Sequence, residues 1–299
     1  MTAAVSVTGL SRGYRGHQAL TDLTFELGTP CVAGLLGRNG AGKTTLLRIL
    51  AGQEFHDSGR VRVFGAEPLE NDAVLRRMIL VREDQTYPDL KVRHVPEAAA
   101  LLYPNWDAEL ARTLLDAYEL PPGRPIKKLS RGMRTALGIV VGLACRAEVT
   151  LFDEPYAGLD PVARALFYDQ LLADYTAHPR CIVLSTHLID EAAELLDRVL
   201  VLDRGRLVLD APADDLRGAA TVVTGPADGV ERFAAGRTTL SRRTLGARTT
   251  AVMIGRLDAR DREIADHLRL RLEAVTLQQL AVYAADHHDQ FGLTTARAS

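Results

Sequence analysis

The clearest chemistry in the chain sits in Gly37-Arg38-Asn39-Gly40-Ala41-Gly42-Lys43-Thr44, which reads G-x-x-x-x-G-K-T. An apolar run, Val32 to Leu36, leads into it, and a helical pattern from Thr45 to Ala51 follows. A strand that gives way to a glycine loop and then a helix is suited to wrapping an anion. The glycines carry no Cβ to hold the backbone away from a triphosphate, and the free N–H groups and dipole of the helix start favour negative charge. Lys43 can reach the β- and γ-phosphates, and the Thr44 hydroxyl is placed for Mg²⁺. Gly37 to Thr44, with Thr45 at the helix start, are therefore the candidate nucleotide contacts. The plainer reading, a glycine-rich turn before an ordinary helix, is weakened by the strand on one side and the helix on the other.

Further polar residues fall at the ends of apolar runs. Val149-Thr150-Leu151-Phe152 ends in Asp153-Glu154-Pro155. Adjacent carboxylates at a strand end point in different directions, so one can hold Mg²⁺ while the other polarises an attacking water. Cys181 to Ser185 ends in Thr186-His187, which puts His187 at the carboxyl end of a parallel strand, where α/β sites form. Ser130 stands at the N-cap position of a long apolar helix, and Pro161 after Asp160 suits the first position of another. Tyr14, in a polar turn, can stack on a base. Singly, these residues would be a solvated strand end, a structural histidine, a helix cap and a surface tyrosine. A phosphate loop in the same chain shifts each toward a functional reading.

The elements that must position these groups follow from the hydrophobic pattern. Val5 to Leu10 and Leu20 to Leu27 alternate as an antiparallel pair around a polar turn at 11–17. Arg60 to Phe64 is a short strand, and Met78 to Val81 is a buried one. Ala98 to Tyr118 is helical with a break at Pro104 to Asp107, where Asp107 is a plausible N-cap; the helix that Ser130 opens runs to about Cys145, and the one after Pro161 to about Tyr175. Leu195 to Ala211 closes as a hairpin around Asp203-Arg204-Gly205. Beyond Pro212 the strands Thr221 to Val223, Ala251 to Ile254 and Arg269 to Leu272 are expected, with helices at Asp228 to Ala235, Asp261 to His267 and Leu277 to Ala285. The tail from His287 is expected to be disordered, its histidine pair without a metal-binding role.

Composition sets the bounds. With 299 residues, 47% hydrophobic, the chain can bury one large or two modest cores. A net charge of −2 gives no general affinity for nucleic acid. No window approaches the roughly 20 apolar residues of a membrane-spanning helix, and no secretory signal is expected at the N-terminus. Cys31, Cys145 and Cys181 are odd in number and widely spaced, which suggests buried free thiols in a reducing cytosol.

In order and spacing, these motifs resemble those of the nucleotide-binding domain of ATP-binding cassette (ABC) proteins, over the first two-thirds of the chain. Gly37 to Thr44 matches the Walker A motif, and Leu151-Phe152-Asp153-Glu154 matches Walker B with its catalytic Glu. Leu129-Ser130-Arg131-Gly132-Met133 stands in the place of the signature L-S-G-G-Q. Ala157-Gly158-Leu159-Asp160 looks like the D-loop, His187 like the switch histidine, and Tyr14 like the aromatic that stacks on adenine. The resemblance implies an α/β P-loop cassette over 1–211, with a mixed, mostly parallel sheet, an antiparallel β edge and a helical subdomain at about 90–147, followed by a small α+β accessory domain over 219–286. It further implies that two cassettes pack head to tail, holding each Mg-ATP between the Walker A of one and the signature of the other. Ser130 and Gly132 would then contact the γ-phosphate on the opposite subunit, and Asp160 would connect the two sites across the interface. Glu154 would activate the water, and His187 would hold the γ-phosphate and that water.

The chain departs from the family pattern in two places. Arg131 and Met133 replace the Gly and Gln of the signature. The Q-loop glutamine, a nucleotide and Mg²⁺ contact in the family, is assigned to Gln85, the only Gln near the end of the Met78–Val81 strand, with Glu83 as the alternative. The stretch Asp84 to Val92, Tyr103 to Asp107 and the L-S-R-G-M signature resemble the bacterial drug, peptide and lipid export ATPases. That subgroup implies an ATPase at the cytoplasmic face of the membrane, paired with a separately encoded permease that Thr86 to Trp106 would grip. The rivals are a soluble cassette acting in translation or on DNA, a regulatory ATP-binding protein with little turnover, and an importer ATPase. The first lacks its usual second cassette, coiled-coil insertion or basic surface here; against the second stand the filled positions Glu154 and His187.

Overall fold

The computed structural model describes residues 3–286. The alternating N-terminal pattern forms a hairpin of β1 (Val5–Tyr14) and β2 (His17–Leu27). The polar turn expected at 11–17 shrinks to Arg15-Gly16, because side-chain contacts hold β1 extended as far as Tyr14. Arg12 pairs with Glu54 at 2.7 Å and Asp57 at 3.0 Å, and the Gly13 N–H donates to Asp57 Oδ2 at 2.7 Å. Next come β3 (Cys31–Leu36), α1 (Lys43–Leu50) and β4 (Ser58–Val63), the last pairing with the free side of β1 to complete a three-stranded antiparallel sheet. A one-turn helix, α2 (Asp72–Leu75), precedes β5 (Met78–Arg82).

The helical part consists of α3 (His94–Leu102), α4 (Ala108–Ala117) and α5 (Arg131–Ala144). Asp107 caps α4, accepting from the Leu110 N–H at 2.8 Å, and Ser130 caps α5, accepting from the Met133 N–H at 3.1 Å. Then follow β6 (Val149–Asp153), α6 (Pro161–Ala177), β7 (Cys181–Ser185), the single turn α7 (Ile189–Ala192), the hairpin β8 (Arg198–Asp203) and β9 (Arg206–Pro212), and the short α8 (Ala213–Leu216).

The central sheet runs β5-β6-β7-β3-β8-β9, parallel except for β9, which turns back antiparallel on β8. Its inner strands are apolar along their length, as a sheet covered on both faces requires. Alternate residues enter opposite cores: Val32 and Leu36 face the core that holds the helical part, whereas Ala33 and Leu35 face the one under the β1–β2 hairpin. β3, β6 and β7 are adjacent parallel strands, so the loops after all three emerge at the same end of the sheet.

The C-terminal part contains β10 (Ala220–Pro226), α9 (Ala227–Ala234), β11 (Thr239–Leu245), β12 (Arg248–Ile254), α10 (Ala259–His267), β13 (Arg271–Ala274) and α11 (Leu277–Asp286). Its four strands lie in the order β11-β12-β10-β13, all neighbours antiparallel. Chain order β-α-β-β-α-β with this strand order is the split βαβ arrangement. One face packs Val223, Ala251 and Met253 against Val230 and Phe233 of α9 and Ala265 of α10. From the other face, Val222, Val252 and Ile254 join the core of the central sheet. α11 leaves this unit and lies on β8, β9 and α7, where Leu277, Leu280, Ala281 and Ala284 are buried. The tail from His287, with its histidine pair, lies outside the described residues.

Candidate functional site

Each of the glycines that shape the loop after β3 has a positive φ: 152° at Gly37, 81° at Gly40 and 106° at Gly42. Gly42 hands the chain to α1, so the first N–H groups of that helix open at the carboxyl end of the sheet. A cavity of about 770 Å³ begins there. Asn39, Gly40, Gly42, Lys43, Thr44 and Thr45 line one side, and Tyr14, His17 and Ala19 of the β1–β2 hairpin another. Glu83, Asp153, Glu154, Tyr156 and His187 close it from the ends of β5, β6 and β7. Tyr14 stands at this rim with the Arg12 guanidinium 4.8 Å from its ring centroid.

Lys43 is buried, and its Nζ donates to the Gly37 carbonyl at 2.7 Å and the Arg38 carbonyl at 3.3 Å. Loss of hydration lowers its pKa, while the nearby negative charges of Glu154 and Asp153 act in the opposite direction. Thr44 Oγ1 donates to Asp153 Oδ2 at 2.7 Å. The other oxygen, Asp153 Oδ1, is buried without a hydrogen-bond partner. An orphaned carboxylate oxygen beside a threonine hydroxyl is a donor set that fits a hard divalent cation such as Mg²⁺. Among the described residues there is no cluster of three or more His, Cys, Asp or Glu side chains for a metal. Mg²⁺ fits that too, since it characteristically uses one or two carboxylates together with substrate phosphates.

Glu154 follows β6 with φ at 52°, its N–H donating to the Ser185 carbonyl of β7 at 3.1 Å. Its Oε2 accepts from the Tyr156 hydroxyl at 2.8 Å and lies 2.6 Å from His187 Nδ1. Asp153 therefore faces Thr44 and Glu154 faces His187, the divergence expected of adjacent carboxylates at a strand end.

The two Q-loop candidates, Gln85 and Glu83, line different cavities. Glu83, immediately after β5, lines the cavity and pairs with Arg131 at the start of α5. Gln85 does not reach it: a turn in which the Gln85 N–H donates to the Arg82 carbonyl at 3.3 Å carries the chain away. Its side chain enters an adjoining cavity with Tyr87 and Arg134, where its Oε1 is buried and unpaired. Of the two Q-loop candidates, Glu83 therefore borders this cavity and Gln85 borders the adjoining one.

Six other candidates shape the site's surroundings. Gly37 and Arg38 line a small separate cavity beside α11, and Ala41 is buried behind the loop. Ser130 and Asp160 are exposed and cap α5 and α6, Asp160 accepting from the Ala163 N–H at 2.9 Å. Gly132 abuts the loop after β6, where an added Cβ would stand 2.5 Å from the Gly158 carbonyl oxygen. Ser130, Gly132 and Asp160 are absent from the lining of their own chain's cavity. The sequence reading passed over His17 and Tyr156; Tyr156 could have been noticed only as an aromatic two residues after Glu154.

Comparison with known proteins agrees with this geometry. The family profile described as ABC transporter matches residues 20–157. The daunorubicin/doxorubicin resistance ATP-binding protein DrrA of Streptomyces peucetius is 32% identical over 225 residues, 73% of this chain and 68% of that protein. The Nod factor export ATP-binding protein I of Ralstonia nicotianae is 34% identical over 227 residues, 72% of this chain and 69% of that one. A solved ATP-binding subunit of an ABC transporter superposes with a TM-score of 0.64 at 27% identity, covering 71% of this chain and 91% of its own. With a loop-to-helix phosphate cradle, paired carboxylates and a histidine meeting at one sheet end, the chain belongs to the ABC transporter family, among its ATP-binding subunits.

Proposed function

We propose that this chain is the ATP-hydrolysing subunit of a bacterial exporter, closing head to tail on a second copy or a related cassette to drive a separately encoded permease. The observation that carries hydrolysis is the meeting of Thr44, Asp153, Glu154 and His187 in one cavity at the phosphate loop. Lys43 and the N–H groups of α1 hold the phosphates, and Thr44 with Asp153 would hold Mg²⁺, which would supply neutralisation of the phosphate charge. Glu154 orients the attacking water, and His187 fixes Glu154 and reaches the γ-phosphate. Ser130 and Gly132, turned away from their own cavity, are left for the nucleotide of the facing cassette, whose phosphate would meet the N-terminus of α5. Asp160 lies two residues past Gly158, which Gly132 abuts.

The export direction is supported by the names of the drug-resistance and Nod factor export relatives. No helix among the described residues is long and apolar enough to cross a membrane. A peripheral place on the inner face of the cell membrane follows from the proposed partnership with a permease.

The test is light scattering on Glu154→Gln after size exclusion, with and without Mg-ATP, beside steady-state turnover of the parent. A monomer that becomes a dimer on adding Mg-ATP, with turnover lost in Glu154→Gln and nucleotide binding lost in Lys43→Ala, is the expected result. A parent chain that neither binds nor hydrolyses ATP, alone or with membrane partners from its host, overturns the reading.

A further inference from the structure

The phenol of Tyr156 has no role in the scheme above, yet it touches three of the groups that do the work or border them. The side chain is buried at the end of the sheet, and its oxygen lies 2.8 Å from Glu154 Oε2, 2.8 Å from Thr186 Oγ1 and 2.9 Å from the backbone nitrogen of His187. His187 Nδ1 is 3.2 Å away, with the two rings edge to face at a centroid separation of 5.5 Å. A phenol has one proton to give and two lone pairs. An ionised carboxylate only accepts, so the proton goes to Glu154 Oε2. The His187 N–H can only donate, so it fills one lone pair. Thr186 Oγ1 already accepts from the Leu188 N–H at 2.9 Å and can turn its own proton to the second. The phenol is then fully satisfied, which is the condition for burying it at low cost.

The same count orders Glu154. Its Oε2 takes the phenol proton and, at 2.6 Å, the His187 Nδ1 proton, whereas Oε1 has no hydrogen-bond partner among the described residues. The backbone of Glu154 sits at φ 52°, a left-handed conformation that persists only where its surroundings hold it. A tight turn supplies part of that hold, with the Ala157 N–H donating to the Glu154 carbonyl at 3.1 Å and the Leu159 N–H to the Tyr156 carbonyl at 3.0 Å. The phenol holds the same residue from its side-chain end.

We infer that Tyr156 is a positioning residue for ATP hydrolysis: its hydroxyl locks Glu154 Oε2 to the backbone of His187, so that Glu154 Oε1 is the oxygen presented to the attacking water. This rests on the hydrolysis reading given under the proposed function. It differs from a packing role because Phe would fill the same space. Only the oxygen joins the base to the switch segment.

The experiment measures steady-state Mg-ATP turnover of the full chain for the parent, Tyr156→Phe and Thr186→Val, with nucleotide affinity taken by titration of a fluorescent ATP analogue. Tyr156→Phe is expected to lower kcat about tenfold or more, with KM and nucleotide affinity within about twofold. Thr186→Val removes one of the phenol's own donors and is expected to lower kcat less, again at constant KM; it decides the matter if Tyr156→Phe does not fold. Parent kcat in Tyr156→Phe overturns the inference, and so does a loss that falls equally on nucleotide affinity, or parent kcat in Thr186→Val. A parent chain without turnover removes the hydrolysis reading first and this inference with it.

Discussion

Gly37 and Gly42 are constrained by protein neighbours as well as by the phosphate they are placed to admit. A Cβ on Gly37 would stand 2.4 Å from the Leu202 carbonyl oxygen, and one on Gly42 would stand 2.6 Å from that of Ala19. Both contacts are with backbone, which cannot swing aside as a side-chain end can. Gly40 has a positive φ too, but its Cβ would meet nothing within 4 Å. Gly40→Ala is therefore expected to cost only the backbone strain of about 1–2 kcal/mol and to fold, while Gly37→Ala and Gly42→Ala lose both stability and nucleotide binding. Thermal melting with nucleotide titration separates the two classes. A second residue-scale expectation concerns the end of β5: Gln85→Ala should leave nucleotide affinity within about twofold, whereas Glu83→Ala, which removes a cavity wall and the partner of Arg131, should shift it by more, as read in the same titration. The phosphate loop was legible in the sequence because its chemistry is contiguous. The choice between Glu83 and Gln85 was not, because one turn bonded through Arg82 decides which side chain faces the cavity. Tyr156 was not legible either, since the partners that give its oxygen a role, Thr186 and His187, come from a different strand end.

At the scale of elements, the helix starts were the easiest to read. Ser130, Asp107 and Asp160 each accept from the N–H three residues on, a bond made within one turn and independent of the fold around it. β11 was missed because it borders the sheet and leaves Arg242, Arg243, Thr244 and Leu245 exposed, so no apolar alternation marks it. The existence of α11 was legible from its apolar spacing, but that spacing does not say which sheet the helix covers. It lies on β8 and β9 and meets α7, where the Gln278 N–H donates to Asp190 Oδ1 at 3.4 Å, three residues past His187. Leu280 is buried to 1% exposure among Val199, Val201 and Leu209 of the central sheet's core. Leu280→Ala is expected to cost about 2–5 kcal/mol, read as a lower urea midpoint, while Val282→Ser, on the exposed side, stays within about 0.5 kcal/mol. If the C-terminal unit stood apart from the cassette, Leu280→Ala would leave the unfolding of the central sheet unmoved.

For the molecule as a whole, the three cysteines report on how far nucleotide binding reaches. All are free and buried; Cys31 and Cys181 face each other in register on β3 and β7, and Cys145 ends α5. Burial pushes the Cys145 and Cys181 thiols up to about 12 and Cys31 up to about 11. The thiolate is the nucleophile, so near pH 8 the folded chain offers iodoacetamide almost none, and labelling proceeds through opening of the structure. When reclosing outpaces labelling, the rate follows the population of the open form. A nucleotide at a hundred times its Kd stabilises the closed form by about 2.7 kcal/mol, slowing labelling about a hundredfold wherever opening dismantles the site. β3 runs into the phosphate loop and β7 into His187, so Cys31 and Cys181 cannot be exposed without taking the site apart. Cys145 is released by opening of the helical part, which holds neither Lys43, Asp153 nor His187. With the parent chain and Mg-ADP, which lacks the γ-phosphate that the facing α5 would meet, labelling followed by mass spectrometry is expected to slow strongly and together at Cys31 and Cys181, and less at Cys145. Equal protection at all three would mean that the helical part and the central sheet open as one unit. The proposed closing of two cassettes would then be expected to carry α5 and the central sheet together.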